Sequence, residues 1–131
     1  MIQLSTQLAV FLENRPGMLG RVVDALAKAH VNIYAMSSSD TVDHTVIRMV
    51  VNDPQKALYL FEERGTLVVA DEILMIEGDN RPGSLGEIAT KLGKARINIE
   101  YAYFATLPKS KKGLLILRVD RPKQALKVLN T

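Results

Sequence analysis

The segment NRPGMLG at residues 14–20 recurs as NRPGSLG at residues 80–86, sixty-six positions further along the chain. Two more blocks follow in the same order: HVNI at 30–33 returns as RINI at 96–99, and DPQKAL at 53–58 returns as RPKQAL at 121–126. The last block is displaced by sixty-eight positions, so two residues are inserted, and the polar loop at 108–113 is the natural place for them. Three blocks in constant order indicate a duplicated module of about sixty residues.

Each copy opens with the same local pattern. Apolar residues alternate along the segment at 8–12, which is strand spacing, and the Pro-Gly turn then ends the strand. An amphipathic helix is expected next, because its apolar stripe falls at Leu19, Val22, Val23 and Leu26, and again at Leu85, Ile88, Ala89 and Leu92.

The rest of the first copy completes the fold. Strands are expected at 32–38 and 44–51, and a helix begins after Asp53, which is a natural N-cap before a proline. That helix ends near Gly65, and a fourth strand follows at 67–70. The resulting βαββαβ order is typical of the ferredoxin-like α+β fold.

The second copy is predicted to be shorter. The chain ends at Thr131 before any fourth strand, so we expect modules at residues 1–70 and 71–131, the second being βαββα. Arg121 stands where Asp53 caps the first copy, which predicts a poorer helix cap. The strand at 72–78 should therefore have an open apolar edge, and such an edge favours pairing.

Two arrangements remain for the junction between the copies. The segment at 66–70 either folds back antiparallel on the strand at 72–78, giving one continuous seven-stranded sheet, or both segments form a single long bent strand. The hairpin would turn without a glycine. Backbone pairing between residues near Leu67 and Met75 distinguishes the two.

The turn between the first strand and the first helix has the chemistry of a small anion site. Its glycine lets a ligand approach the backbone, and the first amides of the helix have no intrahelical acceptor. A carboxylate fits there without a cationic side chain. Asn14 and Asn80 precede the turn, while Asn32 and Asn98 lie near the far end of the same helix. The asparagines can share a ligand only if another module packs alongside. Alternatively, they simply cap the turn.

At these residues the chain resembles the ACT domain, a βαββαβ module that regulates amino-acid metabolism by binding amino acids. The resemblance covers both copies apart from the last strand of the second. It implies a stand-alone, non-catalytic sensor that binds a free amino acid between modules, forms a homodimer and controls another enzyme or regulator. The binding residues that it implies are Asn14, Pro16, Gly17, Met18, Leu19, Asn32, Asn80, Pro82, Gly83, Ser84, Leu85 and Asn98.

The two copies are not expected to bind one ligand equally. Met18 corresponds to Ser84, so the first turn is more apolar and the second offers a hydroxyl. Tyr34 likewise corresponds to Glu100. One copy would be a working site and the other a relic of packing. A structural or protein-interaction module with vestigial pockets is the alternative function.

Metal binding, catalysis and cofactor binding have less support in the sequence. Asp40, Asp43 and His44 could hold a metal, but a solvated turn is favoured because no fourth ligand is evident. Ser84 has no histidine placed to activate it, and no phosphate-binding or dinucleotide motif occurs. We therefore expect no catalytic set, no metal and no cofactor.

The RNA-binding RRM domain has the same order of strands and helices, so RNA binding is an alternative function that must be considered. Tyr101, Tyr103 and Phe104 lie near lysines and could stack bases. However, residues 45–50 and 114–117, where the third strands are expected, contain no aromatic residue, whereas that strand carries aromatics in an RRM. Packing against a neighbouring module is the favoured role of Tyr101 and Tyr103, and no nucleic acid is expected.

The amino-acid composition limits the class of protein to which the chain can belong. The chain has 131 residues, 47% hydrophobic and 24% charged, with a formal charge of +3 and no cysteine. The absence of cysteine excludes disulfides and thiolate sites and suits a reducing cytoplasm. No apolar run approaches the roughly 20 residues that cross a bilayer, and no secretory signal is evident. A cytoplasmic protein without a membrane partner is expected.

Overall fold

The computed structural model describes residues 1–131. Six strands and four helices occur in the order β1 (Ile2–Glu13), α1 (Met18–Lys28), β2 (Ile33–Asp40), β3 (His44–Val51), α2 (Pro54–Glu63), β4 (Leu67–Asp79), α3 (Ser84–Lys94), β5 (Ile99–Ala105), β6 (Lys112–Val119) and α4 (Pro122–Leu129). The predicted ferredoxin-like order is confirmed in each copy, and the chain ends after α4, as predicted. None of these helices has the length and apolar character that a bilayer span requires.

The chain forms two compact units. The first unit in the sequence comprises Thr6–Asp71, and the other comprises Met1–Ser5 together with Glu72–Thr131. The predicted division of the repeat at residues 1–70 and 71–131 stays a prediction, and in space the first five residues lie with the second copy. We call the two units the first and the second module.

In the first module the strand order is β2-β3-β1-β4. β1 pairs antiparallel with β3, so that Leu12 lies opposite Thr45 and Glu13 opposite His44. Alternate residues of β1, among them Leu8 and Val10, are fully buried against the two helices. Gln7 and Ala9 on the other face are buried as well, so both faces of this stretch of β1 are shielded from solvent.

In the second module the strand order is β1-β4-β6-β5. β4 pairs antiparallel with β6, which places Gly78 opposite Gly113 and Asp79 opposite Lys112. The core is built from alternate residues of β4 and β6 and from one face of α3 and α4; its members include Leu74, Ile76, Leu92, Leu117 and Leu129.

The place of the missing strand is taken by the N-terminus. The backbone amide of Glu77 donates to the Met1 carbonyl over 2.9 Å, and Ile2 and Leu4 pack against the second core. The expectation of an open edge at residues 72–78 is therefore wrong. Pairing leaves few free backbone groups at this edge, and it buries apolar side chains that the sequence alone did not assign to the second copy.

The predicted hairpin at the junction is also wrong. Residues Leu67–Asp79 form one continuous strand, and Leu74 pairs with Leu117 of β6. The single long strand was the alternative, and it agrees with the absence of a glycine between residues 66 and 77. The seven-stranded sheet is excluded with the hairpin.

The N-caps of α2 and α4, the second helix of each module, differ as predicted. The Asp53 carboxylate accepts a hydrogen bond from the Lys56 amide over 3.1 Å at the start of α2. Arg121 provides no side-chain cap for α4. Its guanidinium instead donates to Gln124 Oε1 and to the Arg96 carbonyl, so the residue ties α4 to the end of α3.

Candidate functional site

The two Pro-Gly turns have nearly identical backbones. Gly17 has φ 88° and ψ −9°, and Gly83 has φ 88° and ψ −13°. This left-handed conformation favours glycine, because a Cβ there meets the backbone of its own residue. Neither helix that follows has a side-chain cap. The turn therefore presents bare helix amides.

Those amides are the polar groups that a ligand could use. The amides of Leu19 and Gly20 donate to no group of the chain, and the same is true of Leu85 and Gly86. The first amides of a helix carry partial positive charge and attract carboxylates. Both turns thus retain two donors that point along the helix axis toward the turn.

The asparagines that precede the turns hold the hairpin loops of their own modules. Asn14 Nδ2 donates to the Thr41 carbonyl over 3.0 Å, and Asn80 Nδ2 donates to the Ser110 carbonyl over 2.7 Å. The carbonyl oxygens of both side chains accept no hydrogen bond from the chain. Each asparagine therefore has a structural role through its donor and keeps a free acceptor.

The asparagines that open the second strand of each module are held by their backbones. The Asn32 amide donates to Asn52 Oδ1 over 2.9 Å, and the Asn98 amide donates to Asp120 Oδ1 over 3.2 Å. Both residues are exposed, and their side chains make no hydrogen bond within the chain. Asn32 follows the C-terminal end of α1, whose eleven residues span about 16 Å. Within one module, one small ligand does not reach both Asn14 and Asn32.

The cations next to the turns are paired with nearby carboxylates. Arg15 Nε lies 2.8 Å from Glu13 Oε2, and Arg81 Nη2 lies 2.9 Å from Glu87 Oε2. Asp79 pairs with Lys112 across the strands, and the hydrogen bond from Lys112 lowers the pKa of the Asp79 carboxyl from 3.8. The hydrogen bond to Asp79 in turn raises the Lys112 pKa, and the one to Glu87 raises the Arg81 pKa.

In the first module a cavity reaches the start of α1. Its volume is about 350 Å³, and its lining includes the apolar side chains of Phe11, Leu12, Met18 and Leu67 together with Glu13 and His44. Met18 is half-buried and also lines a smaller cavity of about 200 Å³ next to it. This space therefore reaches Met18, the residue that precedes the bare amides of Leu19 and Gly20.

In the second module the matching cavity stops short of the helix. It has a volume of about 340 Å³ and is lined by residues such as Glu77, Leu107 and Lys112, with none from the turn or from α3. Ser84, the counterpart of Met18, is buried with 6% of its surface exposed. Ser84 is therefore covered by the protein, whereas Met18 lines a cavity beside the first turn.

In the second module the ring of Phe104 packs over the strands beside Ser84. A Cβ placed on Gly113 would lie 2.6 Å from Phe104 Cε2, and one placed on Gly78 would lie 3.9 Å from that atom and from Ser84 Oγ. The ring thus covers a pair of glycines beside Ser84. Sequence analysis considered Phe104 only as a base-stacking residue, and the facing glycines at 78 and 113 were the clue to its packing role.

The remaining predicted residues lie as follows. The turn residues Pro16, Gly17, Pro82 and Gly83 are exposed, and Leu19 and Leu85 are each 41% exposed. His44 lines the cavity beside the first turn, which sequence reasoning did not foresee. No group of three metal-ligating side chains comes together in the structure.

Comparison with known proteins identifies the family. Residues 3–131 match the family described as an ACT domain pair. The chain belongs to the ACT domain pair family. The match spans both modules, so the resemblance of each repeat to an ACT domain is confirmed. ACT domains are regulatory modules, and this chain is a tandem ACT pair.

Solved structures support the ACT fold. Protein BT0572 from Bacteroides thetaiotaomicron is 27% identical with a TM-score of 0.91, over 98% of this chain and 88% of that one. The ligand-free regulatory subunit of aspartate kinase from Thermus thermophilus is 17% identical with a TM-score of 0.73, over 99% and 95% of the two chains. The Thermus flavus subunit is 18% identical with a TM-score of 0.65, over 98% and 94%. No curated protein matches the sequence.

Proposed function

We propose that this ACT pair is a non-catalytic sensor that binds a free amino acid at the turn of its first module. The observation that carries the proposal is the pair of unsatisfied amides at Leu19 and Gly20 beside a cavity of about 350 Å³ that Met18 lines. The ligand carboxylate would accept hydrogen bonds from these amides. Its side chain would enter the cavity, where four apolar side chains offer contacts to an aliphatic amino acid and Glu13, His44 and Thr66 add polar groups.

The asparagines supply the remaining polar contacts in this proposal. The free carbonyl oxygen of Asn14 would accept a hydrogen bond from the ligand ammonium group. Asn32, at the far end of α1, would come from another copy of the module and bridge to the same ligand. The second turn, with Pro82, Gly83, Ser84 and Leu85 beside Phe104, would be the weaker or vestigial site together with Asn80 and Asn98.

The edge strand of the first module is the surface through which we propose that two chains form a homodimer. β2 lies at the end of the strand order, and it carries two exposed apolar side chains, Tyr34 at 53% and Met36 at 40%. Edge strands with exposed apolar residues favour pairing with a second chain. Asn32 lies immediately before this strand, so such pairing would bring it to the partner.

Ligand binding would act on a regulated enzyme or regulator by shifting the population of the bridged dimer. The aspartate kinase structures among the relatives are regulatory subunits, which supports a regulatory role of this kind. We propose a cytoplasmic location, in which free amino acids and their biosynthetic enzymes are both accessible. No cofactor, metal or nucleic acid enters this account.

A thermal-shift screen with each proteinogenic amino acid tests the proposal. We expect one or a few aliphatic amino acids to raise the melting temperature of the wild type. Asn32→Ala should reduce the affinity about tenfold, since a hydrogen bond to a charged group is lost. The matched variant Asn98→Ala should leave it unchanged. Flat melting temperatures throughout the screen, or equal losses in both variants, would contradict the proposed site.

A further inference from the structure

A second cavity of the first module lies between its two helices. It has a volume of about 200 Å³, and residues of α1 and the end of α2 line it. Val22, Ala25 and Phe61 give it an apolar floor, and all three are buried in the core. Arg21 and Arg64 stand at its rim and also line an adjoining space of about 180 Å³.

The two arginines have no partner within the chain. Neither guanidinium forms a hydrogen bond or an ion pair. The other charges of the adjoining space neutralise each other, because Lys28 Nζ lies 3.1 Å from Asp24 Oδ2. Two unpaired cations above an apolar floor form a site that attracts an anion.

The size of the cavity limits the ligand. An apolar cavity of about 150 Å³ is large enough to hold benzene. A cavity of about 200 Å³ therefore accommodates one ring or a short branched chain, with the anionic group at the arginines. Arginine presents a planar fork that binds carboxylates and phosphates with two hydrogen bonds.

The second module does not reproduce this arrangement. Glu87 occupies the position of Arg21, and it is paired with Arg81. The position that corresponds to Arg64 would follow Thr131, where the chain ends. Because Glu87 replaces Arg21, the second module carries a paired carboxylate where the first carries an unpaired cation, and duplication of the ACT turn does not account for the arginine.

We propose that the cavity between α1 and α2 binds a small organic anion with an apolar body, held by Arg21 and Arg64. This ligand is distinct from the amino acid of the turn, which uses backbone amides and asparagine. The two sites adjoin at Met18, so occupancy of one can influence the other.

Calorimetric titration with phenyl phosphate, benzoate, inorganic phosphate and phenol tests this site. Phenyl phosphate or benzoate should bind. The probe that binds more tightly shows whether the site prefers a phosphate or a carboxylate. Arg21→Gln and Arg64→Gln should each weaken that binding by about tenfold, because each removes charge-assisted hydrogen bonds. Phenol lacks the charge and inorganic phosphate lacks the apolar body, so both should bind more weakly.

Matched variants separate this site from the amino-acid site. Lys56→Gln removes an exposed cation of α2 that lines neither cavity and should leave the binding of both probes unchanged. Asn32→Ala should also leave the binding of phenyl phosphate and benzoate unchanged. Arg21→Gln should retain the rise in melting temperature that the amino acid causes. Absence of binding by phenyl phosphate and benzoate, equal losses in Lys56→Gln, or equal binding of inorganic phosphate would overturn the proposal.

Discussion

The two turns share a backbone but differ in what surrounds them. Beside the first turn Leu12 pairs with Thr45, and a cavity reaches Met18. Beside the second turn Gly78 pairs with Gly113, and the ring of Phe104 covers both. The comparison teaches that duplication retained the amides and the asparagines, whereas the space that a ligand side chain needs depends on residues of the neighbouring strands.

The largest expected loss of stability comes from replacing Gly113 of the second module by threonine, the residue that the first module has at the corresponding position, Thr45. Gly113→Thr forces atoms into the ring of Phe104 and toward Thr106, whose Cβ lies 2.9 Å from the position of an added Cβ. We expect the free energy of unfolding to fall by about 3 kcal/mol. Chemical denaturation measures this change.

A double variant checks the cause of that loss. Ser38 is the residue of the first module that corresponds to Phe104. Gly113→Thr combined with Phe104→Ser should lose less than the sum of the two single variants, because the clash with the ring is removed and only the close contact with Thr106 remains. Strict additivity would show that Phe104 does not fill the space over the glycines.

A smaller effect is expected at the helix caps. Asp53→Ala should destabilise the first module by about 1 kcal/mol, because the Lys56 amide loses its acceptor. Arg121→Ala at the equivalent position removes no cap and serves as the matched comparison. A larger loss in Arg121→Ala would mean that its hydrogen bond to the Arg96 carbonyl matters more than the Asp53 cap.

These caps and turns are the part of the fold that the sequence predicts well. The Pro-Gly turn, the amphipathic stripe that includes Leu26 and the N-cap at Asp53 depend on neighbouring residues, so local patterns reveal them. Each lies within a few positions of the feature that it determines.

The errors concern contacts between residues far apart in the sequence. Nothing local in Met1–Ser5 indicates that this strand completes the second module. The two apolar runs at 67–70 and 73–76, separated by Asp71 and Glu72, permit a hairpin as well as one strand. The placement of Phe104 over Gly113 and the meeting of Arg21 with Arg64 likewise depend on tertiary packing. Sequence patterns identify the amides of the site, but they do not identify the cavity beside them.

The two asparagines that precede the turns should contribute different amounts to the free energy of unfolding. Asn80 Nδ2 donates to the Ser110 carbonyl over 2.7 Å and to the Leu107 carbonyl over 3.3 Å, whereas Asn14 Nδ2 has one acceptor. Asn80→Ala should therefore cost about 1 kcal/mol, and Asn14→Ala should cost less. Hydrogen exchange in the two hairpin loops measures the difference, and a greater loss at Asn14 would contradict this account.

The smallest effect is a pH dependence confined to the second module. The folded pKa of Asp79 is lowered from 3.8 by Lys112, so the stabilisation from this pair is fully present above about pH 5. It is lost as the pH falls through the lowered pKa and the carboxyl takes up a proton. Asp79→Asn should thus lower the melting temperature slightly at neutral pH and converge with the wild type in acid. A gap that widens in acid would contradict the sign.

The most direct test of the amino-acid site follows individual backbone amides by NMR during titration with the amino acid that gives the largest thermal shift. The account predicts that the amide signals of Leu19 and Gly20 move with a single saturating curve, while those of Leu85 and Gly86 move little. Saturable binding that leaves Leu19 and Gly20 unmoved would contradict it.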